Sequence, residues 1–352
     1  ARTLSFLAMK NDHHTADKSA TIVQSEAPPW ELPDTLLYAD SPLPLLLERD
    51  RVGGGELIDY LQAHRPAIEA ALLHHGGILF RGFGLDEVAK FDALMEQFSD
   101  ETIPYLFRSS PRYSLSDRVY VSTTYPNERK INMHSESSYS YAWGQKIFFC
   151  CILPATVQGE TPIADNRRVL ASLSADLVEK FERHGVLYQR NLSPHAGLHW
   201  QEVFQTDQAE EVAKTCRANG VGFDFRSPDL LTIAWKKPAS YRHPQSGERV
   251  WFNHAFFFNR FSLYEEMGLG PEDKFPSKML SSNTFFGNGS PISYGEYRQM
   301  AEAYEKAKII FPWQRGDLLM LDNMLSAHGR NPYEGDRKIV VSIVEPHCED
   351  RG

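Results

Sequence analysis

Two histidines and one acid stand out by type and spacing. Asn132-Met-His-Ser-Glu-Ser-Ser sets His134 and Glu136 two residues apart, and on extended chain alternate side chains point the same way. Such a pair can chelate one metal ion. A third donor must come from elsewhere, and His328 is the candidate, in Asp322-Asn-Met-Leu-Ser-Ala-His-Gly-Arg just after the apolar run Leu318 to Leu321. Two imidazoles and a carboxylate on one face of an octahedral ion leave three positions open, as in non-haem iron(II) oxygenases. Those positions can take a bidentate keto acid and then dioxygen. His-x-Glu alone is a weak signal, because a chain with 13 His and 46 acidic residues produces it by chance.

Composition fits a folded globular protein. Hydrophobic residues at 42% and charged residues at 24% are near globular averages and leave no case for a collagen-like, coiled-coil or wholly disordered chain. The formal charge of -9 and the lack of any basic run argue against nucleic acid as a partner. No apolar stretch reaches the roughly 18 residues needed to span a bilayer. Cys150, Cys151, Cys216 and Cys348 form no Cys-x-x-Cys pair, and the first two sit within the apolar run Ile147 to Leu153. That context predicts buried thiols in a reducing compartment, the cytoplasm by default.

The elements that must position these residues follow from periodicity. Residues 1–35, with Pro28, Pro29 and Pro33, are expected to form an extended or poorly ordered arm, followed by a single domain over 36–352. A helix is predicted over Glu56 to Leu73, broken near Pro66 and stopped by Gly76-Gly77, with a strand from Ile78 and a helix over Glu87 to Phe98. Strands are predicted at Arg118 to Ser122, Lys146 to Leu153, Gly185 to Arg190, Leu230 to Trp235, Arg249 to Phe252, Asp317 to Leu321 and Lys338 to Val344. One helix is expected over Arg167 to Arg183, another over Asp207 to Asn219, and a third over Ser293 to Lys308 with a Ser293/Glu296 capping box. Strands dominate the centre without regular β-α alternation. The reading is mainly β with flanking helices, a sandwich or barrel carrying helical insertions.

Several separated stretches, in order, resemble the taurine dioxygenase and clavaminate synthase-like superfamily from about Ile78 to Val344. They are Gly77-Ile-Leu-Phe-Arg-Gly-Phe, Met133-His-Ser-Glu, Gly159-Glu-Thr-Pro-Ile-Ala-Asp, Pro312-Trp-Gln-Arg-Gly-Asp, Asp322-Asn, Ala327-His-Gly-Arg-Asn-Pro-Tyr and Gly335-Asp-Arg-Lys. The resemblance implies a double-stranded β-helix, or jelly-roll, core. It implies iron(II) on His134, Glu136 and His328, with 2-oxoglutarate and dioxygen as co-substrates. It also carries the grip on the far carboxylate of 2-oxoglutarate over to Thr161 and Arg337. An Arg suits that task because its planar fork pairs with both carboxylate oxygens. The competing readings are a surface salt bridge for Arg337 and a one-residue slip that puts Lys338 in its place.

The resemblance further implies an enzyme that hydroxylates an unactivated carbon. Sulfonate-using members carry an Arg four residues beyond the co-substrate Arg, where this chain has Val341, so taurine is a poor guess. Related halogenases replace the acidic ligand with a small residue, and here Glu136 is present. His-x-Glu resembles the amino-acid-hydroxylating branch, including enzymes of non-ribosomal peptide pathways. The implied substrate is an amino acid or a carrier-bound amino-acyl group, with Arg330 a candidate partner for its carboxylate. Alternatives are another small carboxylate, desaturation or epoxidation by the same chemistry, or a non-catalytic jelly-roll binding protein. Asp322 and Asn323 either support the His328 segment or make a turn, Tyr139, Tyr141 and Trp143 line a pocket or pack a core, and His254 reads as a packing residue.

Overall fold

The helix Arg65–His75 ends on Gly76, whose φ of 77° lies in the left-handed region, and the chain passes straight into the strand Gly77–Arg81. A side chain at Gly76 would press on Ser326 Oγ at 2.8 Å, so glycine is required there twice over. The computed structural model describes residue 32 and residues 35–98, 115–116, 118–123, 125–195 and 197–349. Most of the expected arm lies outside these residues. Leu32 is described, and it is buried against the same core as Leu45 and Leu57.

A seven-stranded sheet runs in the order Leu36–Tyr38, Ser41–Glu48, Gly77–Arg81, Leu318–Asp322, Ala142–Leu153, Lys338–Cys348 and Tyr120–Val121. All its pairings are antiparallel except that of Ser41–Glu48 with Gly77–Arg81. The second sheet is shorter, in the order Lys308–Ile309, Ile163–Asp165, Ser326–Arg330 and Ile131–His134.

The long apolar strand Ala142–Leu153 is buried on both faces, which is why it reads as a continuous hydrophobic run. Phe148 and Cys150 point to a core shared with Ile68, Leu72 and Phe91 of the flanking helices Arg65–His75 and Val88–Met95. Ile147, Phe149 and Cys151 point the other way, against Ile163 of the short sheet and Phe311 and Trp313. The adjacent cysteines therefore face opposite cores, and all four cysteines are free. The paired sheets with helices outside them form a double-stranded β-helix.

A further sheet, Gly222–Ser227, Leu230–Lys237, Val186–Leu192 and Ser282–Phe286, is inserted between Ile163–Asp165 and Lys308–Ile309 in the sequence. Helices Ala175–His184, Ala209–Ala218 and Tyr294–Ala307 bury residues in its core, and the last carries the expected Ser293/Glu296 capping box. The single helix expected over Arg167 to Arg183 is in fact two, Asn166–Ser172 and Ala175–His184. Leu173 takes an extended conformation, and Ser174 accepts from Leu177 N–H to cap the second helix, a local bond that outweighs the continuous apolar period. Among the described residues no helix is long and apolar enough to cross a membrane.

Candidate active site

The strands Ile131–His134 and Ser326–Arg330 pair antiparallel with His134 directly opposite His328. Their ring centroids lie 4.5 Å apart. Glu136 falls beyond the strand end, in a turn where Ser137 has a φ of 57°, so the expected extended geometry stops at His134. The turn nevertheless brings Glu136 Oε2 to 3.9 Å from His134 Nε2. One donor atom from each of His134, Glu136 and His328 lies within 4.8 Å of the others, so a single ion is in reach of all three. Two imidazoles and a carboxylate are a fitting donor set for iron(II).

The surroundings hold these donors in usable form. His134 Nδ1 lies 2.9 Å from the carbonyl of Asn132, to which it donates, which leaves the Nε2 lone pair for a metal. Burial pushes the His134 imidazole below its ordinary pKa, against the opposing pull of Glu136, and so favours the neutral ligand form. Asn323, fully buried, accepts from Glu136 N–H at 2.8 Å and donates to Glu136 O at 2.9 Å and Gly144 O at 2.9 Å. Asp322 Oδ1 caps the turn by accepting from Met324 and Leu325 N–H, while Oδ2 meets His243 Nε2 at 3.0 Å.

The three donors open onto a cavity of about 940 Å³, into which Thr161 and Arg337 also face. Arg337 Nε donates to Gly159 O at 2.8 Å, and its Nη2 lies 3.4 Å from Thr161 Oγ1. A side chain on Gly159, at φ 76°, would meet Ala155 Cβ and Tyr333 Cβ at 2.9 Å and Arg337 Cδ at 3.2 Å, so this glycine lets the arginine lie close. Trp313 Nε1 donates to Thr161 Oγ1 at 3.1 Å. With its oxygen accepting from neighbours, the buried Thr161 hydroxyl hydrogen is available to a ligand. Burial, and then the nearby positive charge of Arg330, push the Arg337 guanidinium down to about 10. Among the described residues no carboxylate forms an ion pair with Arg337, the setting of a cation that awaits an anionic ligand. Lys338, its rival by sequence, is exposed.

Arg330 is buried and borders the cavity, but its terminal nitrogens donate to the backbone carbonyls of Tyr125, Pro126 and Arg129. The guanidinium offered by sequence to a substrate carboxylate is thus largely engaged by the 125–129 loop. Arg129 and Tyr125 in turn reach Glu266, near the end of the helix Arg260–Glu266, across the mouth of the cavity. Tyr139, Phe257, Phe258, Val341 and Ile343 give the wall apolar surface, whereas Trp143 packs against Tyr241 and Phe252. His254, read from sequence as a packing residue, lines the cavity with its ring centroid 5.6 Å from that of His134. No spacing motif links it to the triad; it arrives from the insertion.

The family model described as taurine catabolism dioxygenase TauD, TfdA family matches residues 39–343. The chain belongs to that family. This TauD/TfdA-family chain is 34% identical over 289 residues to the dapdiamide synthesis protein DdaC of Enterobacter agglomerans, covering 82% of the chain and 88% of DdaC. It is 28% identical over 295 residues to a clavaminate synthase-like protein of Arabidopsis thaliana, with 80% and 86% covered. The solved structure of PvcB from Pseudomonas aeruginosa aligns at 13% identity with a TM-score of 0.48 over 85% of the chain and 84% of PvcB. As a member of the TauD/TfdA family the protein is a dioxygenase that uses iron(II), 2-oxoglutarate and dioxygen.

Proposed function

We propose that this dioxygenase hydroxylates an unactivated carbon of an amino acid or a carrier-bound amino-acyl group, with His134, Glu136 and His328 as its iron ligands. The observation that carries the chemistry is the meeting, in one cavity, of that triad with the half-buried Arg337, which among the described residues has no carboxylate partner. Held by His134, Glu136 and His328, iron(II) would supply the oxidative chemistry that links decarboxylation of 2-oxoglutarate to attack on a substrate C–H bond. The chain's residues do the positioning. Arg337 binds the far carboxylate of 2-oxoglutarate through its fork while Thr161 donates its hydroxyl to the same group. Trp313 fixes Thr161, and Asn323 fixes the turn that bears Glu136. Phe257 beside His134 and Phe149 beside His328 exclude water from the metal-facing side.

The amino-acid reading is supported by the relative DdaC, whose name assigns it to dapdiamide synthesis. Val341 supports it against a sulfonate, since it gives that wall apolar surface in place of a second cation. The test is anaerobic reconstitution with iron(II) and 2-oxoglutarate, followed by aerobic incubation with free and carrier-bound amino acids and mass analysis. A gain of one oxygen with stoichiometric succinate is expected on at least one of them. Robust turnover confined to other compounds would overturn the substrate class and leave the metal site intact.

A further inference from the structure

His254 is fixed on every side but one. Its backbone N–H donates to Tyr188 Oη at 3.0 Å. Its ring lies among those of Tyr139 at 4.9 Å, Phe257 at 5.3 Å and Phe258 at 4.7 Å between centroids. Nδ1 lies 2.7 Å from Ser138 Oγ. Ser138 is fully buried, and among the described residues its hydroxyl has no partner other than this nitrogen. A buried hydroxyl hydrogen with one acceptor in reach donates to it, because the reverse arrangement leaves that hydrogen unsatisfied. Nδ1 is therefore the acceptor, and the ring proton sits on Nε2.

No described residue is a hydrogen-bond partner of Nε2, and the ring, only 3% exposed, borders the cavity beside the metal triad. We infer that His254 is a substrate-binding residue, whose Nε2–H donates to an acceptor oxygen of the substrate: the carboxylate of a free amino acid or the carbonyl of an amino-acyl thioester. The inference rests on the proposed function for the kind of substrate, but not for the donor itself. It also takes up the task that sequence assigned to Arg330, whose terminal nitrogens are turned to the loop carbonyls. A ring held this firmly loses little freedom on binding, and its short reach fixes which carbon faces the metal.

Two measurements test it. In the full chain loaded with zinc(II) and 2-oxoglutarate and labelled with 15N-histidine, long-range 1H–15N spectra report the tautomer, the His254 signals being assigned by their loss in His254→Gln. The Nε2–H form is expected, and an Nδ1–H form overturns the inference whatever the substrate is. The second compares wild type, His254→Phe and His254→Gln on the free amino acids and their pantetheine thioesters. For any compound that wild type oxidises, His254→Phe is expected to lose at least tenfold in kcat/KM, mostly through KM, and His254→Gln, which keeps an N–H donor, to recover most of it. Which arm shows the loss identifies the oxygen as carboxylate or thioester carbonyl. Equal kcat/KM in His254→Phe, or no recovery in His254→Gln, overturns the inference. Ser138→Ala combined with His254→Phe removes the hydroxyl that Phe strands, so a folding defect is separated from a binding defect. If wild type oxidises no member of the panel, the substrate class fails while the tautomer still decides the role of His254.

Discussion

Asn323 grips the backbone of Glu136 from both sides, accepting from its N–H and donating to its carbonyl. The same amide donates to Gly144 O, so one side chain joins the turn that bears the carboxylate to the start of the strand Ala142–Leu153. Glu136 lies in a turn with a left-handed neighbour, and without this brace its carboxylate would sample positions out of reach of His134. Asn323→Ala is expected to weaken iron(II) binding roughly tenfold to a hundredfold, the usual scale for losing a group that orients a ligand. Anaerobic metal titration checks this, and unchanged affinity would show that the turn holds itself.

Arg337 separates co-substrate binding from metal binding. Arg337→Lys exchanges a fork for a point charge and gives up the bond from Nε to Gly159 O. Hydrogen bonds to charged groups are worth about 1.5–3 kcal/mol, so 2-oxoglutarate affinity is expected to fall by roughly tenfold to a hundredfold. Iron affinity stays within about twofold, because charge-assisted bonds act over hydrogen-bond distance and Arg337 is not among the metal donors. Calorimetric titration of both ligands distinguishes this outcome from a general loosening, which would weaken the two together.

Arg81 and Asp317 support the same grip from behind. Arg81 Nε and Nη2 meet the two carboxylate oxygens of the fully buried Asp317 at 2.9 and 2.7 Å, and Nη2 also donates to Pro312 O. Asp317 raises the Arg81 pKa, chiefly through its hydrogen bond. Trp313, next along the chain, holds Thr161. Arg81→Met strands a buried carboxylate, so a loss on the order of 3–5 kcal/mol is expected. A fall in Tm accompanied by weaker 2-oxoglutarate binding is the expected pair of results. Lower Tm with unaltered 2-oxoglutarate affinity would confine Arg81 to the fold.

The triad was legible through the ordered stretches that resemble the superfamily, since His-x-Glu by itself recurs at His347 and Glu349, but its geometry was not. Ser326–Arg330 contains Ser, Ala and Gly and no β-branched residue, so nothing in it announces a strand, yet it pairs with Ile131–His134 and sets His328 across from His134. The long strands announced themselves by apolar runs, and Ala142–Leu153 extends past its predicted start through Trp143, which packs in a separate cluster with Val250, Phe252 and Leu325. The helix break at Leu173 was hidden because the apolar period continues through it while a serine cap interrupts the hydrogen bonding. His254 was illegible for a different reason: its importance lies in a distance to His134 across 120 residues of chain, which no local pattern encodes.

Arg330 provides the sharpest test of geometry against motif. By its place two residues after His328 it reads as a substrate anchor, yet three loop carbonyls already accept from its terminal nitrogens. Replacing it with Ala leaves those carbonyls short of a donor, at a cost of about 1–3 kcal/mol for each that water does not reach. The loop that loses its anchor carries Tyr125 and Arg129, which bind Glu266 at the cavity mouth. Arg330→Ala is therefore expected to lower Tm and to speed backbone hydrogen exchange across residues 125–131. Substrate KM rises as well, because the wall that confines the substrate is loosened, while 2-oxoglutarate affinity changes little since Arg337 and Thr161 remain. A substrate anchor predicts the opposite division: Tm and loop exchange as in wild type, with the whole loss in KM and only for substrates bearing a free carboxylate. Exchange mass spectrometry on the unliganded protein separates the two, since it reads the loop with no substrate present.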